Sequence, residues 1–337
     1  MRRLASLSLM GALLAPGAAS ARDSDTINLY RYVLDMDVPE SPALVAMEEA
    51  PLRVLLGAAP KPVMTTVLAS AAPDGLRPGL SLDVAPYFLF GGGVRSLSRY
   101  RSNSLAGRLM RVLTKTTVSA AVLPDLDGTG AWRVGLGLRT TVHDPHDPVL
   151  NSDLPERVAE ELERHGIPPP ADSDEDVSER GVDLSALFDR AERQMRSRSG
   201  DVQISGGWGV SARTEGGVLT GDGLRDTMHT FWLTGQAALG RRFDALATMQ
   251  ALDLFRDSRA LRAGLGVQRK TSVADFRAEL AFDGTDNRLH PGAAIDVKLP
   301  GCTSAIASLT TAPGQDTEDG PVLRGQLQLR WYFARCR

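Results

Sequence analysis

Apolar and polar side chains alternate with a period of two along much of the chain. In "DVQISGGWGVSAR", Val202, Ile204, Gly206, Trp208 and Val210 share one face, and Gln203, Ser205, Gly207, Gly209, Ser211 and Arg213 share the other. "AWRVGLGLRTTVH" sets Trp132, Val134, Leu136 and Leu138 against Arg133, Gly135, Gly137 and Arg139. "LRAGLGVQRK" and "DFRAELAF" repeat the pattern, and "PVLRGQLQLRWYFARCR" closes the chain with it. Alternation of this length predicts strands with one apolar and one polar face. Eleven segments follow it: 79–90, 111–123, 131–143, 201–213, 228–240, 243–255, 259–271, 274–283, 293–300, 304–312 and 321–334.

Two architectures bury such faces: a soluble sandwich, and a membrane barrel with its apolar faces toward lipid. Many of the segments run 10 to 13 residues, long enough to cross a bilayer at a tilt. Their polar faces carry many arginines. The aromatics gather at strand ends (Tyr87, Phe88 and Phe90; Trp132; Phe231 and Trp232; Phe243 and Phe255; Phe276 and Phe282; Trp331 to Phe333), as interfacial girdles require. Aromatics are only 5% of the chain, which is thin for a barrel. The pattern predicts an all-β protein, an antiparallel transmembrane β-barrel of 10–12 strands. Bacterial barrels have even strand numbers, so one of the eleven is miscounted or a twelfth is missed.

A midplane Arg or Lys facing lipid costs about 2–4 kcal/mol, so the charged face must point inward. The expected lumen-facing set is Arg111, Lys115, Arg133, Arg139, Arg213, Arg262, Lys270, Arg277, Glu279, Arg324 and Arg330. If the lumen is open, the surplus positive charge favours anions. If instead the arginines pair with carboxylates and with the N-terminal segment, the pore is closed.

Leu327, Leu329, Trp331 and Phe333 resemble the C-terminal strand signature of bacterial outer-membrane barrels, which the barrel assembly machinery reads. The four residues of "ARCR" after Phe333 depart from that signature. "DVPESPALVAM", "LSLDVAPYFLF", "YRSNSLAGRLMRVLTKTTVSAA" and "WRVGLGLRTTVHDPHDP" resemble an uncharacterised family of exported bacterial outer-membrane β-barrel-like proteins. The resemblance covers roughly the first half of the chain. It implies a fold and a compartment, not an activity.

"MRRLASLSLMGALLAPGAASARD" has a basic start, a short apolar run and the A-x-A triplet Ala19-Ser20-Ala21, the pattern of a cleaved signal peptide over 1–21. It predicts export and an outer-membrane location. Residues 22–78 form a proline-punctuated periplasmic segment or plug that could line the barrel mouth, enter the lumen or hang free. The barrel is expected over 79–337, with an insertion at 144–200. That insertion holds 15 acidic and 7 basic residues, net −8, with two helical patterns around the solvated link "PPPADSDEDVSE". If 79–90 runs outward, the insertion is extracellular and "PDLDGTGA" is a periplasmic turn.

Candidate chemistry adds little. "HDPHDP" groups His143, Asp144, His146 and Asp147, but its prolines fit a strand-to-loop turn better than a metal site, and no metal or other cofactor is expected. Five histidines and no G-x-S-x-G elbow leave a hydrolase as a third reading. A net charge of −3 and the lack of a phosphate loop argue against nucleic acid and nucleotides. Expected partners are outer-membrane lipid, the barrel assembly machinery and a small anionic solute. The leading function is a small-solute channel or plugged transporter-like barrel. A surface-displayed binding, adhesion or structural barrel is the alternative.

Overall fold

The structure is a computed structural model. It describes residues 26–28, 40–56, 63–72, 75–91, 94–124, 131–167, 182, 184–196, 200–214, 224–240, 242–254, 259–300, 303–311 and 323–333. The signal-peptide segment, Cys302, Cys336 and the "ARCR" tail lie outside the described residues.

Two short strands, β1 (Thr26–Asn28) and β4 (Val94–Ser96), pair with each other. Twelve longer strands close a barrel: β2 (Val63–Ala72), β3 (Gly75–Val84), β5 (Thr116–Pro124), β6 (Trp132–His143), β7 (Val202–Thr214), β8 (Leu224–Ala238), β9 (Phe243–Leu252), β10 (Ala260–Lys270), β11 (Ala274–Asp283), β12 (Arg288–Leu299), β13 (Thr303–Thr311) and β14 (Leu323–Phe333). Each pairs antiparallel with its neighbours in sequence, and β14 pairs with β2 to close the wall. All span nine residues or more, enough to cross a bilayer at a tilt.

The strand beyond the expected eleven is β2, inside the segment assigned to 22–78. Its alternation is masked because both faces are mixed: Met64, Thr66, Leu68 and Ser70 are buried inward, with Val63, Thr65, Val67 and Ala69 opposite. At 79–90 and 111–123 the expected strands are half helix: β3 ends at Val84 and Pro86–Gly91 is helical, with Phe88 buried in a helical core rather than at a strand end. Arg111 belongs to α4 (Leu105–Thr114) and Lys115 caps it, so neither lies on a barrel strand. Arg111 instead donates to the Tyr100 and Ser102 carbonyls, the latter at 2.8 Å.

The extra strand changes which connections share a rim. Val63 at the start of β2 pairs with Phe333 at the end of β14, so both barrel ends open on one rim, here the terminal rim. The strand ends that flank 85–115 and 144–201 lie on that rim, as do those of the β8–β9, β10–β11 and β12–β13 pairs. The opposite strand ends, Pro124 and Trp132 among them, mark the far rim.

The two long connections build a helical cap from α2 (Pro86–Gly91), α3 (Leu97–Arg101), α4, α5 (Pro148–Asn151), α6 (Leu154–Arg164) and α7 (Ser185–Arg196). Phe88, Tyr100 and Met110 from the first pack with Val149, Leu154, Val158, Leu162 and Phe188 from the second in one apolar core. Asp144 and Asp147 of the "HDPHDP" turn go to Lys115 at 3.0 and 2.6 Å, and Asp147 also accepts from the Tyr100 hydroxyl at 2.8 Å and caps α5. Burial alone would lower the Lys115 pKa, but Asp147 and Asp144 hold it above the ordinary lysine value. Burial, then Asp147, pushes the Tyr100 phenol well above its ordinary value.

Large apolar side chains stand exposed on the outer wall: Val67, Leu82, Leu136, Leu233, Met249, Leu265, Leu280, Leu309 and Leu327 among them. Phe243, Phe276 and Trp331 border this belt at the terminal rim, with Trp132 and Phe282 at the far rim. An apolar belt of this extent around a closed wall, edged by aromatics, is the outside of a membrane barrel.

Candidate functional site

The lumen is occupied by the chain's own residues 40–56, nearly all of them buried. They form a hairpin. It starts with α1 (Pro42–Ala46), turns at Glu48 and Glu49, and returns to Leu56. Glu48 holds the turn with a positive φ of 59°. Its neck is closed where the Leu56 amide donates to the Glu40 carboxylate at 2.8 Å.

Inner-wall glycines make room for α1. A Cβ on Gly137 would lie 2.5 Å from the Pro42 carbonyl carbon, and one on Gly135 2.6 Å from Met47 Sδ. On β7, a Cβ on Gly209 would meet the Ala46 Cβ at 2.5 Å. Inward apolar residues complete the seat. Leu68, Ala121 and Leu123 pack on Ala43, Leu44 and Met47; Trp232 packs on Val45 and Leu55; Ile306 and Ala294 pack on Leu52.

The hairpin's backbone amides are satisfied by wall side chains. Ser119 accepts from the Ala43 amide at 2.6 Å, Glu279 from those of Arg53 and Val54 at 2.9 and 2.6 Å, and Thr248 from that of Leu55 at 2.9 Å. Ser41 donates to Asp83 at 2.6 Å. A segment with so many wall partners is built into the lumen, since buried backbone groups without partners cost several kcal/mol.

Its three carboxylates meet the wall's arginines. Glu40 pairs with Arg277 in the half nearer the terminal rim, and both side chains are almost wholly buried. Arg139 donates to the Leu56 carbonyl at 3.4 Å nearby, and Arg330 to Gln328 at 2.9 Å. At the far-rim end, Glu48 pairs with Arg262 at 2.7 Å. Glu49 pairs with Arg324 and, at 3.4 Å, with Arg133, which also donates to the Met47 carbonyl at 2.7 Å. The Glu49 carbonyl accepts from Gln326 at 2.9 Å. Arg133, Arg262 and Arg324 thus converge on the hairpin tip, with Asp283 on Arg262 at 2.7 Å.

Of the remaining expected lumen residues, Lys270 pairs with Asp244 at 2.5 Å, and Arg213 sits on β7 opposite Arg133. Leu327 and Trp331 stand exposed on the outer wall and Leu329 is half-buried on the same face. The Phe333 side chain lies outside the described residues. The tip carboxylates escaped the sequence reading because "MEEA" lies in an irregular stretch; the usable signal was a pair of acids within a largely apolar run.

A row of inward polar atoms crosses four adjacent strands beside the hairpin: Ser304, Arg330, Thr66 and Ser81, paired in register. The Thr66, Ser81 and Ser304 hydroxyls are buried and have no protein hydrogen-bond partner among the described residues. Buried polar groups of this kind are ordinarily met by ordered water. The histidines are scattered: His290 bridges Thr311 and Asp286 at 2.7 Å each, and His229 stacks on Trp208.

No protein-family model and no curated protein matches the chain. Among solved structures, the KdgM porin in complex with disordered oligogalacturonate is 7% identical, with 80% of this chain and 99% of that chain covered and a TM-score of 0.43. The NanC porin is 7% identical over 81% of this chain and 100% of that one, at a TM-score of 0.37. An outer membrane protein of Acinetobacter baumannii is 9% identical over 81% and 98%, at 0.37. The strand pairing and the outer belt of this chain make it a twelve-stranded antiparallel β-barrel of the outer-membrane type.

Proposed function

We propose that the protein is an outer-membrane barrel that admits small anionic solutes when residues 40–56 leave the lumen. One observation carries the reading: the carboxylates of Glu48 and Glu49 sit among Arg133, Arg262 and Arg324 at the hairpin tip. When the hairpin leaves, Asp283 and Glu279 remain on the wall near three arginines. Acidic groups of a solute fit where the glutamates stood, because guanidinium groups bind carboxylates through paired hydrogen bonds. Buried wall hydroxyls beside the hairpin favour a hydrated path.

The terminal rim faces the periplasm in this reading. An exported chain reaches the outer membrane from that side, and both barrel ends share one rim. The acidic insertion at 144–200 is then periplasmic rather than displayed. The missed strand β2 reverses the sidedness read from alternation alone.

A second reading, a permanently closed structural barrel, is favoured by the fit of α1 against Gly135, Gly137 and Gly209. Planar-bilayer recordings separate the two. The intact protein should stay closed most of the time, while a variant lacking 40–56 should conduct steadily and show an anion-favouring reversal potential in a salt gradient. Cation preference would refute the arginine argument. A folded deletion variant that never conducts would establish the closed, structural barrel.

A further inference from the structure

We propose that α4 is a membrane-surface helix, with its apolar stripe in the lipid leaflet at the terminal rim and its partner an anionic lipid surface. The inference rests on the barrel being seated in a membrane.

Helix α4 has two apolar sides. Met110 packs into the cap, with Gly107 and Thr114 buried beside it. Leu105, Leu109 and Leu113 follow at i, i+4 and i+8 on another side, and they are 74%, 52% and 45% exposed. Such spacing places three leucines in one stripe along a helix of about 15 Å. No described residue covers that stripe, although the rest of the helix is well anchored.

The position of the helix says what does. The Val112 carbonyl accepts from the Thr116 hydroxyl at 2.7 Å and from the Thr140 hydroxyl at 3.2 Å. Thr116 and Thr140 pair across β5 and β6 on the outer face. The next residues of that face are Val118 and Leu138, also paired, and Val142, all of them exposed. The leucine stripe therefore continues the apolar belt past the end of the wall. Adjacent rows on one strand face lie about 7 Å apart, so helix and belt meet the same leaflet.

Charge agrees with this placement. Residues 85–115 contain Arg95, Arg99, Arg101, Arg108, Arg111 and Lys115 and no acidic residue, whereas the partner connection 144–200 is net −8. Arg108 is exposed beside the stripe, and Arg99 is exposed on α3. Basic side chains flanking an apolar stripe suit a helix lying in the headgroup layer, where lipid phosphates attract them. Arg101 and Lys115 are engaged within the cap by Glu156, Asp144 and Asp147, and Arg111 by backbone carbonyls, so Arg99 and Arg108 are the exposed cations among the described residues of this connection.

The test uses the full chain in vesicles of phosphatidylethanolamine and phosphatidylglycerol. Leu109→Trp adds an indole to the stripe; Leu105→Trp is the second variant, at a more exposed position. Fluorescence is read against the parent protein in lipids brominated near the glycerol end or near the acyl-chain terminus. Quenching of the native tryptophans, Trp208 and Trp331 on the belt among them, reports a seated barrel. The added indole should be quenched more by the shallow bromines than by the deep ones, and hardly by aqueous iodide. Iodide quenching of the added indole, with native quenching intact, would overturn the proposal alone by placing α4 in water. Protection from both quenchers would overturn it in favour of a covering protein, a second copy included. Loss of native quenching would sink the membrane seating and this inference together.

Discussion

Replacing Glu40 by Gln should unseat the hairpin without unfolding the wall. Glu40 and Arg277 are both buried and paired, and the Glu40 carboxylate also accepts from the Leu56 amide across the neck. Breaking a buried pair by removing one partner costs about 3–5 kcal/mol, because the remaining charge is left uncompensated. An amide oxygen can still accept from Leu56, and Asp296 and Glu279 lie near Arg277, so the lower end applies, about 3 kcal/mol. The penalty exists only while the hairpin is in place, since an empty lumen gives Arg277 water. The strand ladder keeps its backbone hydrogen bonds in either state. At 1.4 kcal/mol per decade, 3 kcal/mol raises the unseated fraction about 100-fold. Single-channel recording should therefore show open probability rising by about two decades, and amide exchange across 42–56 should quicken to match. The exposed substitution Glu160→Gln on α6 is the control. A folded E40Q barrel, shifted on heating like the parent, with parental open probability and exchange would refute the reasoning.

Gly137→Val puts side-chain atoms where the Pro42 carbonyl carbon lies 2.5 Å from an ideal Cβ, and overpacking of this kind costs about 1–3 kcal/mol. Protease cleavage within 40–56 should increase, while heat-shifted gel mobility still reports a closed wall. In the protein lacking 40–56, replacing Arg139 and Arg330 by Glu should move the reversal potential toward cations. Lys115→Met leaves Asp144 and Asp147 facing a neutral side chain and should loosen the cap by about 3 kcal/mol, read by proteolysis between α5 and α7. The Lys115 pKa is raised in the fold, so its contribution is complete below the ordinary lysine value of 10.5 and is lost as pH rises beyond it. Cap protection should then be flat at neutral pH and fall only in strong alkali. N-terminal sequencing of the membrane-fraction protein should begin at Arg22, since Ala19-Ser20-Ala21 ends the apolar run; an intact Met1 there would overturn the export reading.

Period-two alternation was enough to read the wall. Once a strand's side chains alternate, each residue is committed to lipid or lumen, and arginine on one face with leucine on the other settles which is which. The sequence therefore determined a closed barrel of outer-membrane type and nine of its strands nearly whole, β6 and β7 among them, with β3 and β5 found only in part. It failed at β2, where Leu68 packs on the hairpin's Leu44 and Met47 and erases the contrast between the two faces. It failed at Arg111 because "LAGRLMRVLT" runs straight from a helix into β5, with no proline or glycine between. Missing β2 changed which connections share a rim with the chain's barrel ends, because in a meander that depends on whether the strand count is odd or even. Only the tertiary structure decided what fills the lumen. An irregular, mostly apolar stretch looks the same in sequence whether it hangs free or lies against Gly135, Gly137 and Gly209. The arginines of distant strands meet Glu40, Glu48 and Glu49 only once the wall has closed around them.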